Sequence, residues 1–426
     1  MSISDVRRVK LVDIAAKQRW ALNGGPFGSK LTTKHYTDSG VPVIRGTNLS
    51  GGSKFSFDDF VYVSEEKADE LRPNNAHPGD IIFTQRGTIG QVGLIPRSAP
   101  FSRFVISQSQ MKLTPDPEQA DPEFLYYLFS APATVKAIDN LAFSAGVPHI
   151  NLEILRNFEV TLPSLPEQQR VAEILSTYDD LIENNQRRIW ILEEMARALY
   201  REWFVEFRFP SGAKMARVAS PLGDIPKGWE VNPLSAIAEV NRAQISPRNP
   251  PDEVHYIDIA SVNPGQIDAV TTYAFPEAPG RARRIVQHGD VLWSCVRPNR
   301  RSHALVMFPD PDTIASTGFA VLTAKAVPYT FLYAATTTDE FVAYLTNNAS
   351  GAAYPAVTAS TFEKAMLLVP PQSLLRRFGE VTEPMAEEAH FLRLQSANLR
   401  KTRDLLLPRL LSGNARSGGK SNGDGK

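Results

Sequence analysis

The chain has 426 residues, 46 basic and 46 acidic side chains, and a composition that is 42% hydrophobic and 22% charged. At roughly 100–200 residues per domain that length implies two to four domains, and the ordinary apolar fraction excludes collagen-like repeats and long disorder. The cancelling charges exclude a polycation, so any nucleic-acid binding has to come from local clusters. No run approaches the ~18 uncharged apolar residues of a membrane span, and the opening MSISDVRRVK lacks the apolar core of a secretory signal. The single cysteine, Cys295, excludes an internal disulfide and zinc sites built on paired thiolates. These features predict a cytoplasmic protein.

In chain order, short β-rich runs come first: VPVIRG, DIIFTQ and GQVGLIP, punctuated by Gly, Pro and Asn. A segment of about 40 residues without Gly or Pro then begins after Pro166. β-rich runs return as VHYIDIA, DVLWSCV and FAVLTAK, followed by a second helical stretch. The halves repeat in detail. HPGDIIFTQR (77–86) returns as QHGDVLWSCV (287–296), 210 residues on, and ISQSQMKLT (106–114) returns as ASTGFAVLT (315–323). FLYYL (124–128) matches FLYAA (331–335), and SAGVPHI (144–150) matches GAAYPAV (351–357), both 207 residues apart. Several matches in one order imply two similar halves of about 210 residues.

The helical segments carry heptads. Val171, Tyr178, Asn185, Leu192 and Leu199 are spaced by seven, with Ile174, Leu181 and Met195 expected between them on the seam. Phe378, Met385, Leu392, Leu399 and Leu406 repeat the series 207 residues later. Such periodicity argues for a coiled-coil seam, on which one Asn can fix register. A proline at 384 predicts a kink or a late start in the second helix. The boundaries follow as a β-rich domain over 1–163, a helix over 164–210, a second β-rich domain over 221–370 and a helix over 371–413. The Gly/Ser-rich residues 414–426 are expected to be a disordered tail.

The whole pattern resembles the specificity subunit of type I restriction-modification enzymes. The resemblance rests on PLGDIPKGWEVNPLSAIAEV (221–240), VRPNRR (296–301), STGFAVL (316–322), LPSLPEQQRVAEIL (162–175) and LYREWFVEFRFP (199–210). It implies an α+β fold, with two β-rich target-recognition domains in a pseudo-twofold repeat, separated by two long antiparallel coiled-coil helices. It further implies that the domains read the two halves of a bipartite double-stranded DNA site and that the helices dock two methyltransferase subunits. Motor-nuclease subunits would complete the assembly, and S-adenosylmethionine, ATP and magnesium would sit on the partners, with none in this chain. A covalent repeat lets its halves diverge, so the site is expected to be asymmetric and interrupted.

Under that resemblance, the candidate DNA contacts in the first domain are Arg45 and Asn48 of IRGTNL, and Gln85, Arg86 and Thr88 of TQRGTIG. Arg can pair bidentately with guanine, and Asn or Gln with adenine, while nearby glycines let backbone approach phosphate. Ser144, His149 and Asn151 form a second polar loop. In the second domain Arg281, Arg283, Arg284, Arg297, Asn299, Arg300 and Arg301 form a basic cluster flanking a strand, with Asn241, Arg242 and Gln244 as weaker candidates. Asp258 stands where Arg45 stands in the first half.

Catalytic motifs fail on inspection. Asn249-Pro250-Pro251 is followed by Asp252 where an adenine methyltransferase needs an aromatic to stack on the flipped base. GGKS (418–421) lacks the first glycine of a phosphate-binding loop. Glu65-Glu66-Lys67 has no supporting carboxylate, and no cluster has metal-ligand spacing. The chain therefore reads as a non-catalytic subunit. The alternatives are a self-contained DNA-modifying enzyme and a coiled-coil scaffold whose β domains bind protein.

Overall fold

The computed structural model describes residues 6–49, 53–142, 148–210, 215–246, 248 and 250–411. The tail 414–426 and Asn249 lie outside the described residues. The chain divides into two compact units, one formed by Met1–Asn185 with Gln395–Lys426, the other by Gln186–Leu394. Both divisions fall inside long helices, so each unit combines a β-rich region with half of each helix.

In the first unit, Arg7–Lys10 pairs antiparallel with Glu159–Leu162, tying the two ends of the β-rich region together. An antiparallel sheet runs in the spatial order Leu22–Gly24, Gln110–Leu113, Ile81–Thr84, Val92–Leu94. A second sheet runs Val61–Val63, Val41–Ile44, Phe104–Ile106, Asn75–Ala76, with a parallel pair at its centre. The second unit repeats every strand in the same order. Glu230–Pro233 pairs with Met366–Val369. Its first sheet is Ala238–Val240, Phe319–Ala324, Val291–Ser294, His303–Leu305. Its second is Thr271–Ala274, Glu253–Ile257, Thr313–Ser316, Ala282–Ile285, again with one parallel pair. Val41–Ile44, Ile81–Thr84 and Val291–Ser294 are buried at every position, which accounts for their unbroken apolar runs.

The Gly-Asp pair that first betrays the repeat has one job in both units. Gly79 and Gly289 adopt φ of +95° and +82°, conformations open to glycine. The following carboxylates are buried. Asp80 accepts the His77 N–H (2.9 Å) and the Thr114 hydroxyl (2.6 Å), and Asp290 accepts the Gln287 N–H (2.8 Å) and the Thr323 hydroxyl (2.7 Å). Burial pushes both carboxyls above the usual range. Only the first has a buried cation beside it among the described residues, Lys112 at 3.6 Å, whose own pKa burial pushes down.

The long helices span Leu165–Tyr200 and Gln372–Leu411. In the first unit Arg403 pairs with Asp179, and the Asn185 amide donates to Gln395 Oε1 at 2.9 Å, so the helix halves run antiparallel. In the second unit Arg188 meets Glu388 at 2.7 Å while Tyr200 and Phe204 pack on Phe378, again antiparallel. The seven-residue series lies inward. Val171, Asn185, Phe378 and Leu392 are buried, and Tyr178, Leu192, Leu199, Met385, Leu399 and Leu406 are half-buried. The interleaved series is one residue later than expected. Leu181 and Met195 are 46% and 49% exposed, whereas Leu175 and Ile182 are buried. Neighbouring residues on a helix point about 100° apart, so the partner surface decides which of two adjacent apolar residues turns inward.

The second helix starts at Gln372, well before Pro384, so the late start does not occur. Pro384 lies on the exposed face, where the backbone carbonyl its missing N–H would have bonded can turn to water. The first helix ends in a wider turn, Arg201–Val205. This turn seats the Phe204 ring 5.0 Å from both Phe331 and Phe378, which gives the aromatic LYREWF segment its structural role.

Candidate nucleic-acid interface

In each unit the turn joining the last two strands of the first sheet is held against a second polypeptide segment by the same pair of backbone bonds. In the first unit Gly87 N–H donates to Pro148 O (3.2 Å) and Ile150 N–H to Gln85 O (3.0 Å). In the second, Arg297 N–H donates to Pro355 O (2.7 Å) and Val357 N–H to Cys295 O (2.9 Å). This explains why SAGVPHI and GAAYPAV repeat. The turn needs a left-handed residue, which is Gly87 (φ +100°) in one unit and Arg297 (φ +51°) in the other. Both turns carry basic side chains, at different positions of the repeat: Arg86 corresponds to Val296 and Gly87 to Arg297.

Side chains on these turns differ in availability. Arg86 and Thr88 are exposed, and so are Asn299 and Arg300, carried on the short helical turn Pro298–Arg300. Arg281 is exposed in the turn just before the strand Ala282–Ile285. Gln85 is half-buried, its Oε1 facing Gly24. Guanidinium groups with free donors beside close-packed backbone can reach phosphate or base edges.

Other candidates are structural. Asn48 is fully buried, its Oδ1 accepting Arg45 N–H at 2.9 Å and its amide donating to Ser56 O and Asp58 O. Those bonds consume the amide, so Asn48 cannot read a base. Arg45 is half-buried and bonds the Asp59 carbonyl, which holds the same loop. Arg283 bonds its neighbour's carbonyl and lies 4.9 Å over the Phe275 ring, and Arg284 is half-buried with its Nε enclosed. Arg301 pairs with Asp339. Asn151 caps the helix Leu152–Asn157 through Ile154 N–H at 2.8 Å. Asn241 accepts Val321 N–H at 3.0 Å, and Arg242 donates to Gln287. Asp258 accepts Ala260 N–H and the Tyr256 hydroxyl, and these bonds, the backbone one foremost, hold its carboxyl below the usual range. Ser144 lies outside the described residues.

Aromatic groups at the surface escaped the sequence reading. Tyr354 is 69% exposed, with the Arg297 guanidinium 4.6 Å over its ring, and Phe27 is 81% exposed between two glycine-rich corners. The available signal was an aromatic flanked by small residues, GGPFGS and GAAYPA, a pattern that also fits ordinary loops.

The family model described as type I restriction modification DNA specificity domain matches residues 4–194. Residues 4–194 are thus similar to a type I restriction-modification DNA specificity domain. The specificity subunit of the type I restriction enzyme MjaIX from Methanocaldococcus jannaschii is 24% identical over 428 residues, covering 97% of this chain and 93% of the relative. The specificity subunit of the HindI enzyme from Haemophilus influenzae is 22% identical over 401 residues, covering 79% and 86%. Among solved structures, an S subunit of a type I restriction-modification system from M. genitalium aligns over 96% of this chain and 97% of its own, with a TM-score of 0.61 and 16% identity. The family expected from the motifs is thus the one found, and that likeness extends the α+β, two-domain fold across both units. Gln85, Arg86 and Thr88 lie among the matched residues. No helix among the described residues is long and apolar enough to cross a membrane.

Proposed function

We propose that this specificity subunit reads a bipartite, asymmetric DNA site and delivers partner subunits to it, without catalysing a reaction itself. The single observation that carries the proposal is the repeated turn, zipped in the same way in both units and bearing exposed Arg86 and Thr88 in one, Asn299 and Arg300 in the other. One module per half-site is the usual route to reading a divided sequence, and divergent modules read different halves. In this reading the paired helices dock two methyltransferase subunits that methylate adenine N6 with S-adenosylmethionine. Motor-nuclease subunits, using ATP and magnesium, would cleave sites left unmodified, in the cytoplasm.

The test is an adenine-methylation map of DNA from cells expressing this chain with its neighbouring methyltransferase, against the methyltransferase alone. One interrupted motif, present only with this chain, is the expected result. Docking is tested by Leu192→Asp and Leu399→Asp, which place a charge on a half-buried seam position and should abolish copurification with the methyltransferase.

A further inference from the structure

The repeat is broken at one place in a way that opens a cavity. In the first unit four side chains fill the space between the helix Pro122–Ser130 and the long-helix pair. Tyr127 OH donates to Asp179 at 2.5 Å, Asp179 pairs with Arg403, and Lys54 lies 5.4 Å over the Tyr127 ring. The second unit has alanine at the three equivalent helical positions, each displaced by the repeat length of 207: Ala334 for Tyr127, Ala386 for Asp179, and Ala196 for Arg403. The Pro264-Gly265 turn, whose Gly265 N–H donates to His303 O at 2.8 Å, borders the same space in the second unit. All five of these small residues line one cavity of about 310 Å³.

The cavity has a definite chemistry. Its floor is apolar, built from Leu192, Leu305, Phe378 and Met385. Three arginines, Arg197, Arg301 and Arg393, line it beside one lining carboxylate, Glu193, which pairs with Arg393 and lies 4.0 Å from Arg197. The ion pairs that hold two of these arginines are weak, because Arg301 and Asp339 are 43% and 80% exposed, and Arg197 and Glu194 are 60% and 47% exposed. An entering anion can exchange with them at little cost. His303 and Tyr333 add a polar edge, their Nδ1 and hydroxyl 3.4 Å apart. A volume near 300 Å³ with an apolar body and a few convergent polar groups is at the lower end of small-molecule sites.

We propose that this second-unit cavity binds a small organic anion, a carboxylate, sulfonate or phosphate ester on an apolar or aromatic body, with the anionic group among Arg197, Arg301 and Arg393. The site belongs to one unit only, so its occupant acts on the second recognition domain and its helix pair and leaves the first untouched.

The experiment is calorimetric titration of the full chain, without DNA or partner subunits, using adenosine monophosphate and 8-anilinonaphthalene-1-sulfonate as probes. One saturable site per chain is expected for at least one probe, with a Kd below about 1 mM. Ala334→Tyr, which restores the first unit's ring, should abolish binding, and Arg301→Gln, at a half-exposed position that leaves folding intact, should weaken it about tenfold. No saturable binding of either probe would overturn the proposal. So would binding unchanged in Arg301→Gln, or binding that survives in a folded Ala334→Tyr protein. DNA reading is not an input to any of these outcomes.

Discussion

Removing the Asp179 carboxylate tests how the first unit's helices are held. The side chains of Asp179 and Arg403 are 15% and 22% exposed, and Asp179 also accepts the Tyr127 hydroxyl. Asp179→Ala leaves a mostly buried guanidinium with, among the described residues, only Asp404 at 2.9 Å, and strands the Tyr127 hydroxyl. Breaking a buried pair from one side costs about 3–5 kcal/mol, and the remaining exposure argues for the lower end, about 3 kcal/mol. Arg403→Ala should cost less, about 2 kcal/mol, because Asp179 keeps the Tyr127 hydroxyl as a donor. The double alanine variant recreates the pair the second unit has naturally, Ala386 and Ala196. It should be less destabilised than the two singles together by about 1–3 kcal/mol. Urea unfolding, followed by hydrogen exchange in the segments 122–130 and 165–185, isolates the first unit's transition. Single effects that add to within about 0.5 kcal/mol would refute the coupling and make the pair a surface contact.

The seam register gives a second expectation: Ile182→Ala should destabilise by about 2–4 kcal/mol and Leu181→Ala by under about 0.5 kcal/mol, read from urea midpoints. A larger loss at Leu181 than at Ile182 would instead put the 174, 181 and 195 series on the seam. Asn48→Ala should cost about 2–3 kcal/mol by unpairing loop groups while leaving the DNA motif unchanged. Arg86→Ala and Arg300→Ala should do the reverse, with stability within about 0.5 kcal/mol of the parent and a DNA salt slope smaller by about one ion each. His303 supplies a pH dependence. Burial, with Arg301 and Arg197 nearby, pushes its pKa down to about 4. A depressed pKa contributes stability that is present above the unfolded value near 6.5 and is lost as pH falls towards 4, about 3 kcal/mol in all. Urea unfolding of the second unit between pH 7.5 and 4.5 should flatten in His303→Gln, and an unchanged slope would contradict the burial argument.

Much of this architecture was legible because the chain states it twice. Offsets of 207 and 210 residues placed the helices, the Gly-Asp turns and the zipped loops before any contact was known. The interleaved seam series was not legible, since 174/175 and 181/182 are all apolar and only the partner surface chooses between them. The candidate site was legible by location but not by residue. Asn48 and Arg86 look alike in a string, both polar and next to glycine or threonine. What separates them is three-dimensional: eight to ten residues on, the chain folds back and uses up the Asn48 amide, while Arg86 stays exposed beside the backbone bonds that join 85–87 to 148–150. The arginine cluster divides for the same reason, with Arg283 and Arg301 committed to a ring and a carboxylate and Arg300 left exposed.

The most direct test of the central claim is the methylation map repeated with a half-site variant. Arg300→Ala should change or relax recognition in one half of an interrupted adenine-methylation motif and leave the other half intact, with Arg86→Ala acting on the opposite half. A map in which either variant alters both halves equally, or in which the motif does not depend on this chain at all, would contradict the assignment of one recognition domain to each half-site.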